Sequence, residues 1–211
     1  MRYYIADCHF YHAALNDKMD KRGFDSVVAM NEYMIEKWNS KVRPNDTVVV
    51  LGDLSLGTPE ENEILFKRLH GKIWLILGNH DRYLSSPKYR TNRFEWIRPY
   101  EELHDNHRRV ICCHYPIICY NGQYHLKNDG SPKTWMLYGH VHDTTDQKLI
   151  ESFRIQTKNT YRTGFDGMEH PIPCNMINCF CMYSDYTPLS LEEWIQNDRA
   201  RMNSTQLNEN E

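Results

Sequence analysis

Histidine, aspartate and asparagine side chains recur just after the short apolar runs of this sequence. Five runs are followed in turn by Asp7 and His9, by Asp53, by Asn79, His80 and Asp81, by His114, and by His140 and His142. Imidazole and carboxylate ligands without thiolate suit Mn, Fe, Zn, Co or Ni better than Ca or Mg alone. Because there are enough ligands for two ions, the set predicts a pair of divalent transition-metal ions.

Two of these groups have a spacing that brings alternate side chains together. An extended backbone sends residues i and i+2 to the same side, so the D-x-H of residues 7–9 and the H-x-H of residues 140–142 each predict two ligands facing one site. Cys8 and Val141, between the ligands, are then expected to point into packing. A tight turn or close backbone approach commonly requires glycine, and glycine precedes three of the groups, at Gly52, Gly78 and Gly139.

A pair of metal ions about 3.5–4 Å apart has a defined chemistry. The ions polarise the oxygens of a phosphoryl group and hold a bridging water or hydroxide as an in-line nucleophile. A carboxylate shared by both ions is the usual centre of such a pair, and the isolated G-D motif makes Asp53 the candidate. The predicted reaction is the hydrolysis of a phosphate ester.

The apolar runs themselves are short and rich in Val, Ile, Leu or aromatic residues, which is typical of β-strands. They cover residues 2–6, 47–51, 72–77, 109–113 and 134–138, and residues 175–183 form one more strand-like segment. Strands that alternate with helical patterns predict an α/β domain. In open α/β sheets, ligands bind beyond the carboxyl ends of the strands, so the ligand groups should converge on one site.

Helical patterns separate the predicted strands. The first covers about 26–41, and a T-x-x-E capping box begins the second at Thr58. Another capping box at Ser190 starts a final helix that is expected to end near residue 202. The polar residues 203–211 are expected to fray, and the polar segment 143–173 is expected to form hairpins or loops.

Length and charge limit the classes of function. The chain has 211 residues, which supports a single domain, assigned here to residues 1–202. A formal net charge of -3 gives no general attraction to nucleic acids or anionic membranes. No apolar run approaches the roughly 20 residues that span a bilayer, and no signal peptide is evident, so we expect no membrane partner and a cytoplasmic location. The seven cysteines lack a C-x-x-C pair and are expected to be free, packed thiols.

The motifs D-x-H, G-D, G-N-H-D, H and G-H-x-H, between Asp7 and His142, resemble those of the calcineurin-like metallophosphoesterases. The start D-C-H-F-Y-H and the late segment D-Y-T-P-L-S-L-E-E from Asp185 are similar to a compact bacterial and phage branch. The resemblance implies a four-layer α/β/β/α sandwich in which His80 is the general acid and Asp81 orients it. It implies two metal sites, one with Asp7, His9, Asp53 and His142, the other with Asp53, Asn79, His114 and His140.

The chain departs from two groups of that family. Protein serine/threonine phosphatases and related dinucleotide tetraphosphatases carry arginine shortly after G-D and glutamate after G-N-H, where this chain has Leu54-Ser55 and Asp81. These differences argue against both activities, and the expected substrate is a small phosphodiester or nucleotide-type ester. A nuclease of the same family is an alternative, which the acidic balance disfavours. A catalytically silent metal-binding interaction module is another, and the natural substrate and oligomeric state stay open.

Three further features have two interpretations each. His12 either has a role at the site, next to the metals or facing the substrate, or is a surface residue. The loop of residues 115–133 leaves directly from His114, so it either selects the substrate or is an ordinary solvated connection. Arg82 either contacts a phosphate or forms a surface ion pair, which is the commoner use of such an arginine.

Overall fold

The computed structural model describes residues 1–86 and 92–208 of the chain, with side chains described as far as residue 204. Helices begin where the sequence supplies caps: the Ser26 hydroxyl accepts a hydrogen bond from the Ala29 amide, and Thr58 and Glu61 form a reciprocal capping box. The helices of this described range are α1 (Val27–Lys41), α2 (Pro59–Arg68), α3 (Thr145–Lys158) and α4 (Leu191–Asn208), with short helical turns at Leu15–Met19, Arg82–Ser85 and Cys181–Ser184.

The strands of the same described range form two four-stranded sheets and a separate hairpin. They are β1 (Arg2–Ile5), β2 (Thr47–Val50), β3 (Lys72–Ile76), β4 (Phe94–Arg98), β5 (Tyr100–Asp105), β6 (Arg108–Cys113), β7 (Thr134–Tyr138), β8 (Tyr161–Thr163), β9 (Glu169–Pro171) and β10 (Met176–Asn178). The first sheet has the order β1-β2-β3-β4 with parallel neighbours. The second has the order β10-β7-β6-β5, in which only β5 is antiparallel to its neighbour. The parallel strands of each sheet therefore direct their carboxyl ends to one edge.

Alternate residues of β1 face two different layers, as the two-residue period of a strand requires. Ile5 belongs to the same buried cluster as Trp38 of α1. Tyr4 belongs instead to the cluster that contains Val110 of β6 and Leu137 of β7. The first sheet thus packs on α1 and α2 with one face and on the second sheet with the other.

Helix α3 covers the outer face of the second sheet. Met136 and Tyr138 of β7 share a buried cluster with Ile150 of α3. The layers therefore follow the order helices, first sheet, second sheet, helix, and the predicted four-layer α/β/β/α sandwich is confirmed. Helix α4 contacts β1 and β10, and its Trp194 indole donates a hydrogen bond to the Tyr4 carbonyl at 2.8 Å.

The segment 143–173 differs from its prediction as hairpins or loops, because 14 of its residues form α3 and only β8 and β9 pair as a hairpin. The buried residues of α3 are largely polar. Gln147 accepts a hydrogen bond from the Tyr138 hydroxyl, and Arg154 forms a buried bidentate ion pair with Asp198 of α4. Of the buried residues of α3 only Ile150 is apolar, so the polar composition of this segment did not indicate a loop.

The C-terminal helix and the cysteines differ in part from their predictions. Helix α4 passes its expected end near residue 202 and continues to Asn208, while residues 209–211 of the expected polar tail lie outside the described residues. All seven cysteines are free, but Cys119 is exposed, so its predicted packing is wrong. Among the described residues, no helix has the length and apolar character needed to cross a membrane.

Candidate metal centre

The motif residues converge at the carboxyl edges of both sheets, each on a turn that follows a parallel strand. The ligand atoms of Asp7, His9 and His142 lie within 4.8 Å of one another, and those of Asp7, Asp53 and His114 do the same. All five side chains are buried. The two groups share Asp7 and lie side by side, so they could hold metal ions at adjacent positions.

The backbone reaches this arrangement through left-handed turns, and the extended geometry expected for D-x-H and H-x-H is wrong. The φ angle is 56° at Asp7, 49° at His9, 54° at Asp53, 71° at His140 and 47° at His142. A residue other than glycine in a sparsely populated region costs about 1–3 kcal/mol, and such residues cluster at functional sites. The turned backbone directs amide N–H groups at the carboxylates instead: the amide of His140 donates to Asp7 at 3.0 Å.

Two of the preceding glycines permit close approach between loops. A Cβ on Gly78 would overlap the Asp53 carboxylate, and a Cβ on Gly139 would lie 2.5 Å from Asp7 Oδ2. Either contact is shorter than non-bonded carbon and oxygen atoms tolerate. Glycine at these two positions therefore lets the carboxylates occupy the centre of the site.

Hydrogen bonds to the outer ring nitrogens orient two of the imidazoles. His114 Nδ1 lies 2.8 Å from the Leu51 carbonyl, which only accepts, so this nitrogen carries the proton and Nε2 is left as a lone-pair donor. His142 Nδ1 lies 2.7 Å from a carboxylate oxygen of Asp20 and is held in the same way. The Nε2 atoms of His9 and His142 face each other at 3.2 Å inside the site. A cation between them would satisfy both.

Burial shapes the protonation of the side chains in the metal-free protein. Burial raises the pKa of Asp7 to about 7, against the opposing effects of His142 and of the His140 amide. It also raises the pKa of Asp53 and lowers that of His9, and it lowers the pKa of His114 to about 4. Burial disfavours the charged forms of these carboxylates and imidazoles, whereas a bound divalent cation would favour the carboxylate anions and the neutral imidazoles.

The donor set fits divalent transition metals. Imidazole nitrogens and carboxylate oxygens point inward, and the Asn79 side-chain oxygen lies 3.0 Å from His114 Nε2 and 2.9 Å from His140 Nδ1. The thiol of Cys8 is buried in the hydrophobic core, as expected, and Cys181 donates to the Asp7 carbonyl. Nitrogen and oxygen ligands without thiolate are those preferred by the metals predicted above.

His80 and Asp81 have different surroundings. The His80 ring is half-buried, with its centroid 5.3 Å from that of His9, and its amide donates to Asp53 Oδ1 at 2.7 Å. The buried Asp81 carboxylate accepts hydrogen bonds at 2.9 Å from the amides of Asp53, Leu54 and Gly78. Among the described residues, no hydrogen bond links Asp81 to the His80 ring. Asp81 therefore holds the G-D and G-N-H-D loops together rather than contacting the imidazole.

Sequence reasoning missed two residues at this site. Asp20 bonds His142 as described, and Arg22 donates to the other Asp20 oxygen and to the backbone of the D-x-H turn. Both lie in a charged segment without periodicity. No local signal distinguishes them from surface residues, and their burial is visible only in the fold.

His12 and part of the 115–133 loop lie next to the site, whereas Arg82 is exposed. The His12 ring lies 5.3 Å from that of His9, beside the site, and its Nδ1 is buried without a partner among the described residues. In the 115–133 loop, the ring of Tyr115 packs against that of His140, with the ring centroids 4.6 Å apart. Asn121 of the same loop donates hydrogen bonds to Glu102, away from the site. Arg82 is exposed and has no carboxylate partner within the described ranges.

Comparison with known proteins finds two relatives in sequence and one structure of similar fold. The chain is 33% identical over 142 residues to an uncharacterized protein of Methanocaldococcus jannaschii, which covers 66% of this chain and 68% of that protein. It is 25% identical over 196 residues to the Gene 66 protein of Mycobacterium phage D29, covering 83% and 92%. A crystal structure of a protein of unknown function from Aquifex aeolicus shares the fold, with a TM-score of 0.63 and 23% identity over 92% of this chain and 96% of that one.

A family model described as calcineurin-like phosphoesterase matches residues 3–198. This range includes every motif residue at the carboxyl edges of the two sheets. The chain therefore belongs to the calcineurin-like phosphoesterase family, whose chemistry is the metal-dependent hydrolysis of phosphate esters.

Proposed function

We propose that this protein is a dinuclear metal-dependent phosphoesterase that hydrolyses a small phosphodiester or nucleotide-type substrate. The convergence of Asp7, His9, Asp53, His114 and His142 in two adjacent ligand groups carries this proposal. Two divalent ions of Mn, Fe, Zn, Co or Ni, when bound, would polarise the phosphoryl oxygens and activate a water for in-line attack. Seven free cysteines support a reducing, cytoplasmic setting, and residues 1–202 would act as one domain.

In the proposed ligand sets the shared carboxylate is Asp53, not the Asp7 that the two ligand groups have in common. Asp7, His9, Asp53 and His142 would hold one ion, and Asp53, Asn79, His114 and His140 the other. Asp53 Oδ2 lies 3.5 Å from His9 Nε2 and 3.5 Å from His114 Nε2, between the two sets. This position supports Asp53 as the bridging ligand.

The proposed acid is His80. Its half-buried ring lies beside that of His9 without joining either ligand group, and its backbone amide donates to Asp53. An imidazole N–H there would deliver a proton to the departing oxygen of the ester. Asp81, through its three amide hydrogen bonds, would keep the His80 loop and the Asp53 loop in register.

Metal reconstitution combined with hydrolysis tests the proposal. The metal-free protein would be loaded separately with Mn, Fe, Zn, Co or Ni, its metal content measured by elemental analysis, and its activity followed on bis(p-nitrophenyl) phosphate and p-nitrophenyl phosphate. We expect up to two ions per chain, activity that a chelator abolishes, and a preference for the diester. Fewer than one bound ion together with hydrolysis unaffected by chelators would overturn the two-metal mechanism.

A matched histidine variant controls for general damage. His170 pairs with Asp166 at an exposed position outside the site, so His170→Ala should leave metal content and rate unchanged while His9→Ala lowers both. A subsequent panel of nucleotides, dinucleotides and longer oligonucleotides would separate a small-substrate enzyme from a nuclease. Metal binding without hydrolysis of any of them would favour the interaction module.

A further inference from the structure

Asp20 and Arg22 form a buried network next to the proposed metal centre. Asp20 Oδ1 lies 2.7 Å from His142 Nδ1, and Oδ2 accepts hydrogen bonds from Arg22 Nε at 3.0 Å and Nη2 at 2.9 Å. The Asp20 side chain is only 3% exposed and that of Arg22 is 0% exposed. Two charges removed from water at this depth are costly unless each is fully paired.

Arg22 connects this carboxylate to the D-x-H turn. Its Nη1 donates to the Cys8 carbonyl at 2.7 Å and its Nη2 donates to the Asp7 carbonyl at 3.0 Å. These carbonyls belong to the turn in which Asp7 has left-handed φ. The planar guanidinium group, which a lysine does not have, thus bonds two partners at once. One is the turn that carries the proposed ligands Asp7 and His9, and the other is the Asp20 carboxylate, which holds His142.

The Asp20 contact also selects the tautomer of His142. A carboxylate only accepts, so His142 Nδ1 carries a proton and its Nε2 lone pair faces Asp7 and His9. Two other histidines lack a carboxylate at this position: His114 uses a backbone carbonyl, and Nδ1 of His9 has no partner in the described part of the chain. Carboxylate partners of this kind raise the basicity of a ligating histidine and fix the orientation of its ring.

We propose that Asp20 and Arg22 are positioning residues that align His142 with the D-x-H turn and thereby set the affinity and geometry of one of the two metal sites. The inference rests on the proposed dinuclear centre. It predicts an unequal effect, because the network touches Asp7 and His142 but not Asn79 or His140. Loss of the network should weaken the binding of one ion and leave the binding of the other unchanged.

The chain offers a matched control. Arg154 and Asp198 form a second buried bidentate pair, with distances of 2.9 and 2.6 Å, between α3 and α4. It has the same chemistry as the Asp20 and Arg22 pair but bonds none of the proposed ligands. A purely structural role predicts that Asp20→Asn and Asp198→Asn behave alike.

The experiment is calorimetric titration of the full-length, metal-free protein with Mn²⁺, together with absorption spectra of the Co²⁺-loaded form. Asp20→Asn should weaken one of the two binding events about 10–100-fold and shift the Co²⁺ d–d bands. Asp198→Asn should leave both Mn²⁺ affinities within about twofold of the wild-type values and the Co²⁺ d–d bands unshifted. Thermal unfolding of each metal-free variant checks that it is folded, and if Asp20→Asn is not, Asp20→Glu keeps the charge beside Arg22 while displacing the oxygen from His142.

A double-mutant cycle shows whether Asp20 acts through His142. In a His142→Ala background, Asp20→Asn should weaken Mn²⁺ binding less than it does in the wild type, because the imidazole that Asp20 positions is gone and only its contact with Arg22 remains. Additive losses, or Asp20 variants that bind both ions as the wild type does, would overturn the inference and leave the proposed function intact. A wild type that binds less than one ion would overturn the proposed function, and this inference with it.

Discussion

Replacement of His80 by glutamine separates the roles of acid, ligand and electrostatic support at the proposed centre. Glutamine retains a polar side chain but cannot transfer a proton. A nitrophenolate leaving group departs with little need for protonation, whereas an alkoxide departs poorly without it. His80→Gln should therefore slow a diester with an alkoxide leaving group far more than a nitrophenyl diester.

The size of the difference follows from the chemistry and from the exposure of the ring. A positioned general acid contributes about 10²–10⁴-fold, or roughly 3–5 kcal/mol in the activation barrier. Because the His80 ring is only half-buried, solvent can replace part of its proton donation. We therefore expect about 10²-fold slowing with the alkoxide leaving group, little slowing with nitrophenolate, and unchanged metal content.

Steady-state kcat and kcat/KM on bis(p-nitrophenyl) phosphate and on dithymidine phosphate measure the effect, with metal content determined on the same samples. His12→Gln is the matched control, because the His12 ring centroid lies 6.2 Å from that of His80 and both rings neighbour that of His9. Equal slowing of both diesters by His80→Gln would refute the acid role and assign the residue to charge stabilisation. Loss of an ion would make it a ligand or the support of one, and a leaving-group effect confined to His12→Gln would transfer the role to that residue.

Four further outcomes are expected. Asp53→Ala should reduce metal content and rate more than His9→Ala, because the Asp53 carboxylate faces both ligand groups; near-normal turnover would contradict the bridging role. Asp81→Asn should lower the free energy of unfolding by about 1.5–3 kcal/mol, since an amide NH₂ would face a backbone N–H; unchanged stability in denaturant titration would count against this. Gly78→Ala should lower metal occupancy in elemental analysis, because its Cβ would overlap the Asp53 carboxylate, and full occupancy would refute the steric argument. Cys119 is exposed and should react with a thiol reagent in the native protein, with all seven thiols titrating after denaturation; a native disulfide in mass spectrometry would contradict this.

Features that depend on neighbours in sequence could be predicted from the sequence. The capping box at Thr58 needs only residues three positions apart, and the five core strands need only a short apolar run. The order in which ligands follow strands is equally local. Since parallel strands end at one edge of a sheet, that order was enough to indicate which residues meet.

Features that depend on packing between distant elements could not be predicted. Helix α3 buries polar groups whose partners, such as Asp198, lie on another element, so the polar composition of its sequence was a misleading sign of loops. The left-handed turns at the ligands follow from backbone amides bonding carboxylates across the site, as between His140 and Asp7. Side-chain alternation in an extended chain is therefore the wrong model for these motifs.

The contacts of Asp20 and Arg22 are the clearest example of a feature that the sequence alone does not predict. Asp20 lies 122 residues from His142 in sequence, yet the two side chains are 2.7 Å apart. The sequence by itself determined which imidazoles and carboxylates are available and which strand carries each of them. Only the tertiary structure decided which buried charges support them, because a desolvated carboxylate and guanidinium are placed by the packing of whole elements around them and not by any period along the chain.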